Sequence, residues 1–99
     1  MAKWTVINGG TGESDQIGKD GYFYSNLDLS WLPNDVLAVQ SPDGLVCEIE
    51  KGDSATGKRT QNEEDVATST LSWWPNVNTT WQAAYDAEQA AIAAEEKPA

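Results

Sequence analysis

Only a few stretches of the chain carry a readable alternation of apolar and polar positions. At 3–8, Trp4 and Val6 fall on one side and Thr5 and Ile7 on the other, the period of a strand. Asn8-Gly9-Gly10-Thr11-Gly12 breaks that strand, and 13–21 is a polar stretch read as flexible. Tyr22-Phe23-Tyr24 then reads as a second strand from its aromatic content. The clearest signal lies at 35–50, where Val36-Leu37-Ala38-Val39-Gln40 and Leu45-Val46-Cys47-Glu48-Ile49-Glu50 flank Ser41-Pro42-Asp43-Gly44. Proline sets φ, aspartate bonds locally and glycine takes positive φ, so this segment predicts a β-hairpin. Leu45, Cys47 and Ile49 are expected to face the core, with Val46, Glu48 and Glu50 on the wet face.

From 51 to 70 the chain is polar and reads as a long loop. Beyond it the period changes. Asn78 or Thr79 can cap a helix, and 79–96 is rich in alanine and glutamate, both strong helix formers. Trp81, Ala84, Tyr85, Glu88, Ala91 and Ile92 fall on one stripe, with Trp81 and Tyr85 placed to pin the helix to a sheet. Past Ile92 that stripe holds only alanine, so the end of the helix either frays or meets another chain. The expectation is one α+β domain over 1–99: a small, mainly antiparallel sheet with one C-terminal helix packed on it.

A repeat qualifies this picture. Leu29-Ser30-Trp31-Leu32-Pro33-Asn34 returns as Leu71-Ser72-Trp73-Trp74-Pro75-Asn76, with only Leu32 replaced, by Trp74. The flanks do not match, strand following one copy and helix the other, so the copies read as two similar corners rather than stacked repeat units. Each is expected to aim a large aromatic into one core, with Pro33 and Pro75 biasing the preceding residue toward extended backbone.

Composition narrows the function classes. The 99 residues carry 16 acidic and 6 basic side chains, a formal charge of −10. That argues against nonspecific binding to nucleic acid or anionic membrane, which needs clustered Lys and Arg. An acidic surface suits a basic partner, including as a mimic of DNA charge, although solvation is the simpler reading. Five Trp, three Tyr and one Phe must supply much of a thin core. There is no His, which removes the commonest general base and neutral metal ligand. The lone Cys47 cannot form an internal disulfide and reads as a small buried hydrophobe. The first residues are too short an apolar run for a signal peptide, and no stretch has the length of a membrane span.

Candidate chemistry is sparse. Gly52-Asp53-Ser54-Ala55-Thr56-Gly57-Lys58-Arg59 comes close to a phosphate-binding loop, but Arg59 stands where Ser or Thr must hold Mg²⁺ and no helix pattern comes after it. Glu13, Asp15 and Asp20 could gather around Ca²⁺, yet their spacing is not that of the helix-flanked calcium loop. Glu63-Glu64-Asp65 reads as a solvated cluster, and acid–base work by Glu63 and Asp65 would need a buried cleft. Trp74 is the best surface aromatic, and a sugar-stacking face is its sharpest reading. No catalytic, cofactor or metal residue is assigned, and an enzyme is not expected.

One resemblance adds to this. Asp28 to Gln40, with its Trp-Leu-Pro corner and Val-Leu-Ala-Val-Gln strand, the strand ending Glu48-Ile49-Glu50, and the Trp-containing Ala- and Glu-rich helix at 81–96 together resemble small virion and tail-fibre-associated structural proteins of marine, cyanobacterial tailed bacteriophages. The resemblance spans 28–50 and 71–96. The polar insert at 51–70 and the Gly-rich N-terminal region have no counterpart in it. It implies a noncatalytic virion protein of a tail, tail fibre or capsid surface, made in the cytoplasm of an infected bacterium. Partners would be other virion proteins or a second copy of the chain, with no nucleic acid and no membrane insertion. The contact residues expected are Trp73, Trp74, Ala84, Glu88 and Ala91, and Trp74→Ala is expected to weaken assembly and spare the fold. The alternative, from a different class, is an acidic phage-encoded host-takeover protein that binds and inhibits a host enzyme.

Overall fold

In the computed structural model, which describes residues 2–8, 15–53, 56 and 58–96, the hairpin at 35–50 forms part of a larger sheet. The strands are β1 (Trp4–Ile7), β2 (Gln16–Lys19), β3 (Tyr22–Tyr24), β4 (Val36–Ser41), β5 (Val46–Asp53) and β6 (Lys58–Ala67). They form one sheet in the order β3-β2-β1-β4-β5-β6, antiparallel throughout. A 3-10 turn (Thr68–Thr70) leads to the single helix α1 (Trp74–Glu96), which lies on one face. The expected α+β architecture is what forms.

The predicted turn at 41–44 closes as its residues require. Gly44 takes φ +81, and the Asp43 carboxylate accepts the amide N–H groups of Leu45 (2.8 Å) and Val46 (3.2 Å). Those two donors hold the Asp43 carboxyl below its ordinary range. They also draw Leu45 into the turn, so β5 begins at Val46 and Leu45 is exposed, contrary to its expected place in the core. Asp20 (φ 53) and Gly21 (φ 86) form a two-residue turn of the mirror-image type between β2 and β3.

Three boundaries differ from expectation. β2 lies within the stretch read as flexible, because its one large apolar residue, Ile17, is too little to mark a strand yet is fully buried. Its Gly18 admits the Phe23 ring, which a Cβ would meet at 2.5 Å. The expected loop at 51–70 is the end of β5 and the whole of β6. β6 shows no alternation because most of its side chains are exposed; backbone pairing forms it, with cross-strand contacts Lys51–Glu63 (3.0 Å), Arg59–Glu50 (3.1 Å) and Asn62 to Glu48 (3.0 Å). The helix begins at Trp74 rather than 79. Proline is tolerated in a first turn, where its missing N–H has no helical acceptor. Thr79, expected as a cap, instead returns its hydroxyl to the Pro75 carbonyl (3.1 Å) inside the helix.

The core forms between the sheet and α1. Val6, Ile17, Val36, Val39, Cys47 and Ile49 rise from the strands to meet Leu29, Leu32, Val77 and Trp81. Gly52 is tightly enclosed: a Cβ there would strike the Lys58 carbonyl oxygen and come within 2.9 Å of Arg59 Cα and Leu37 Cδ1. Gly52→Ala should therefore lower stability by about 1–3 kcal/mol, read as a lower urea midpoint. An unchanged midpoint would mean that the β5–β6 pairing yields without penalty.

Candidate functional site

The aromatic residues gather where the helix crosses the sheet. Trp81 is buried, its ring edge-on to Trp4 (6.2 Å), Tyr22 (6.3 Å) and Tyr24 (5.6 Å) and stacked on Tyr85 (5.2 Å). Its Nε1–H donates to the Tyr22 carbonyl (3.0 Å). The Lys19 ammonium stands 5.4 Å from the Trp4 ring and 5.1 Å from the Trp81 ring, within reach of a cation–π contact. One turn beyond Tyr85, Glu88 accepts the hydroxyls of Tyr22 and Tyr24, the latter at 3.2 Å. The Tyr22 hydroxyl is pushed above its ordinary pKa first by its hydrogen bond to Glu88, and Tyr24 well above it first by desolvation and then by its bonds to Tyr22 and Glu88.

The two repeated corners meet. Each closes with the same backbone bond, Leu32 N–H to Leu29 O (2.9 Å) and Trp74 N–H to Leu71 O (3.1 Å). The matching tryptophans, Trp31 and Trp73, stack on each other at 6.2 Å with planes 26° apart. Both are half-buried, so the residues driven into the core are Leu29 and Leu32 rather than the aromatics expected there. Trp31 Nε1–H is held by the Thr80 hydroxyl (3.1 Å).

The five expected contact residues do not form one patch. Trp73 belongs to the stacked pair, and Trp74 is half-buried, edge-on to Trp4 at 6.4 Å. Ala84 is half-buried on the helix, Glu88 is engaged by the tyrosines, and only Ala91 is exposed. From Gln89 to Glu95 every residue of the helix is exposed.

The opposite face of the sheet carries a cavity of about 310 Å³ among Lys3, Thr5, Gln40, Pro42, Glu48, Glu64 and Asp65. It lies in register across β1, β4 and β5, where Thr5 pairs with Gln40 and Gln40 with Glu48. Asp65, at φ 54, sits in a bulge of β6 at its rim. Sequence reasoning missed this cavity because it depends on the pairing of β6.

The other candidates resolve in place. Cys47 is buried and free, its thiol pushed up first by desolvation. Gly52 and Arg59 of the phosphate-loop look-alike are cross-strand partners in the β5–β6 hairpin, with 54, 55 and 57 outside the described residues. Asp20 accepts the Lys3 amide (2.8 Å), and Glu13 lies outside the described residues. Among the described residues no group of His, Cys, Asp or Glu is placed to hold a metal ion, and no helix is long and apolar enough to cross a membrane. No protein-family model matches the chain, no curated protein matches its sequence, and no solved structure matches it.

Two outcomes test this packing. Trp74→Ala should destabilise the fold by about 3 kcal/mol, as for truncation of a packed aromatic, measured by chemical denaturation; a loss below about 0.5 kcal/mol would return Trp74 to the surface. Because both tyrosine pKa values are raised, the neutral forms are favoured by folding, so that contribution is constant below the ordinary tyrosine pKa of 10.0 and declines as pH rises above it. Glu88→Gln should move the Tyr22 titration back toward 10.0, followed by phenolate absorbance; an unmoved titration would remove Glu88 as the cause.

Proposed function

We propose that this chain is a noncatalytic structural protein of a tailed-bacteriophage virion, on a tail, tail fibre or capsid surface, acting through protein–protein contacts. The observation that carries the proposal is spatial. The two stretches that resemble such proteins, 28–50 and 71–96, lie far apart in sequence and come together here as one unit. Their corners stack through Trp31 and Trp73, Trp31 Nε1–H donates to Thr80 of α1, and β4 and β5 are neighbours in the one sheet. The segments without a counterpart flank β4 and β5: β6 is one edge, and β1 to β3 lie on the other side. The charge of −10 suits contact with basic neighbours in an assembly.

A second reading has its own support. The cavity on the open sheet face is lined by Glu48, Glu64 and Asp65 against a single cation, Lys3, a net acidic lining suited to receiving basic side chains of a host enzyme. Such an inhibitor would lose its target steeply as salt rises.

Mass spectrometry of purified particles of the encoding phage separates the two. The virion reading expects this chain at fixed copy number per particle. Absence from particles together with abundance in infected cells would overturn it in favour of the inhibitor.

A further inference from the structure

The helix is longer than the sheet beneath it. Its contacts move outward along its length, from Trp74 on Trp4 of β1, through Trp81 on Tyr22 and Tyr24 of β3, to Glu88 on the hydroxyls of the same two tyrosines. β3 is an outer strand of the sheet. The residues after Glu88 therefore overhang that edge, and the stretch from 89 to 96 adds about 12 Å at the helical rise. At the ~4.8 Å spacing of paired strands this roofs about two further strands.

The overhang continues the core stripe. Ile92 follows Trp74, Trp81 and Tyr85 on the same side of the helix, yet it is 39% exposed. Below it the edge strand presents Tyr22, 47% exposed. The opposite edge is built differently. β6 carries Lys58, Arg59, Glu63, Glu64 and Asp65, and its pairing is broken by two bulges, both devices that discourage a further strand. β3 carries neither charges nor a bulge along Tyr22–Tyr24, and its own shortness limits added pairing to those three residues.

Charge selects the occupant. The helix bears Asp86, Glu88 and Glu95 and no Lys or Arg, and no basic residue stands in its last turn to oppose the negative end of its dipole. A second copy would bring the same acidic helix against it. We propose that the ledge formed by β3 and the underside of α1 beyond Glu88 receives an extended strand of another protein, one that alternates apolar with Lys or Arg residues. The strand adds to the sheet at β3, seats its apolar side chains under Ile92 and sets its cations against the acidic helix end. This rests on reading the chain as a module for protein–protein contact, but not on its presence in virions.

The test is an amide-shift NMR titration of the full chain with a short peptide of alternating valine and lysine, and with its valine–glutamate counterpart. The lysine peptide should saturate, shifting residues 22–24 and 89–95, while the glutamate peptide should not bind. Ile92→Asp, an exposed change checked for folding by circular dichroism, should weaken binding about tenfold or more, and Leu45→Asp, in the turn between β4 and β5, should leave it unchanged. Shifts scattered over all acidic surfaces, shifts centred on β6, or equal loss in both variants would overturn the proposal. So would concentration-dependent shifts of the same residues without peptide, which would make a second copy the occupant. None of these outcomes alters the particle measurement, and absence from particles would leave the ledge in place.

Discussion

The packing of Trp81 is the constraint on which the rest of this structure depends. One side chain touches the rings of Trp4, Tyr22, Tyr24 and Tyr85, donates to the Tyr22 carbonyl and lies under the Lys19 ammonium. It joins β1, β3 and α1, which are remote in sequence. A thin sheet with few leucines and isoleucines has little else with which to fix the helix direction. A buried aromatic removes about 150–250 Å² from water, and here its polar handle is satisfied as well. With Trp74 against Trp4 at the start of the helix and Trp81 on the β3 tyrosines two turns later, two anchors set its path across the strands.

How much of this was legible in the chain depended on whether a residue's burial leaves a local mark. The β4–β5 hairpin was legible because Pro42, Asp43 and Gly44 specify a turn and the flanking residues alternate. The pinning role of Trp81 and Tyr85 was legible from their spacing of one turn. β6 was not, because most of its side chains are exposed and only Val66 near its end reaches the core; the strand forms by pairing with β5, and no period in Lys58–Ala67 records a partner. β2 hides for the opposite reason: a single buried Ile17 and a glycine shaped to receive Phe23 are enough once β1 and β3 flank it. The start of α1 is hard to place from sequence because Pro75 resembles a helix boundary, whereas a first turn accepts it.

The repeat shows why local similarity and tertiary role separate. Both copies fold into the same hydrogen-bonded corner, so the short motif does determine local backbone. Their matching tryptophans then stack on each other instead of entering the core, an arrangement the motif alone does not contain. The residues downstream of each corner decide its use. Asn34-Asp35 turns into a strand, whereas Asn76 continues a helix whose later residues have Trp4 and the tyrosines to bind. Neither corner presents an isolated aromatic: Trp31 and Trp73 stack together, and Trp74 stands edge-on to Trp4.

Electrostatics acts on the surface that this packing leaves. A fold fixed by aromatic contacts does not need ion pairs for its interior, and the two seen among the described residues, Lys51–Glu63 and Arg59–Glu50, both lie across β5 and β6. Lys51 and Arg59 are thus engaged across β5 and β6 and Lys19 above the tryptophans, while the helix carries acid alone. The consequence is an asymmetric molecule. One edge is charged, bulged and closed to pairing; the other is aromatic, short and roofed by an acidic helix. That asymmetry arises from where Trp81 holds the helix: a helix anchored nearer β5 would have covered the sheet and left no overhang. The same interaction that stabilises the domain therefore decides which of its borders is open to a partner.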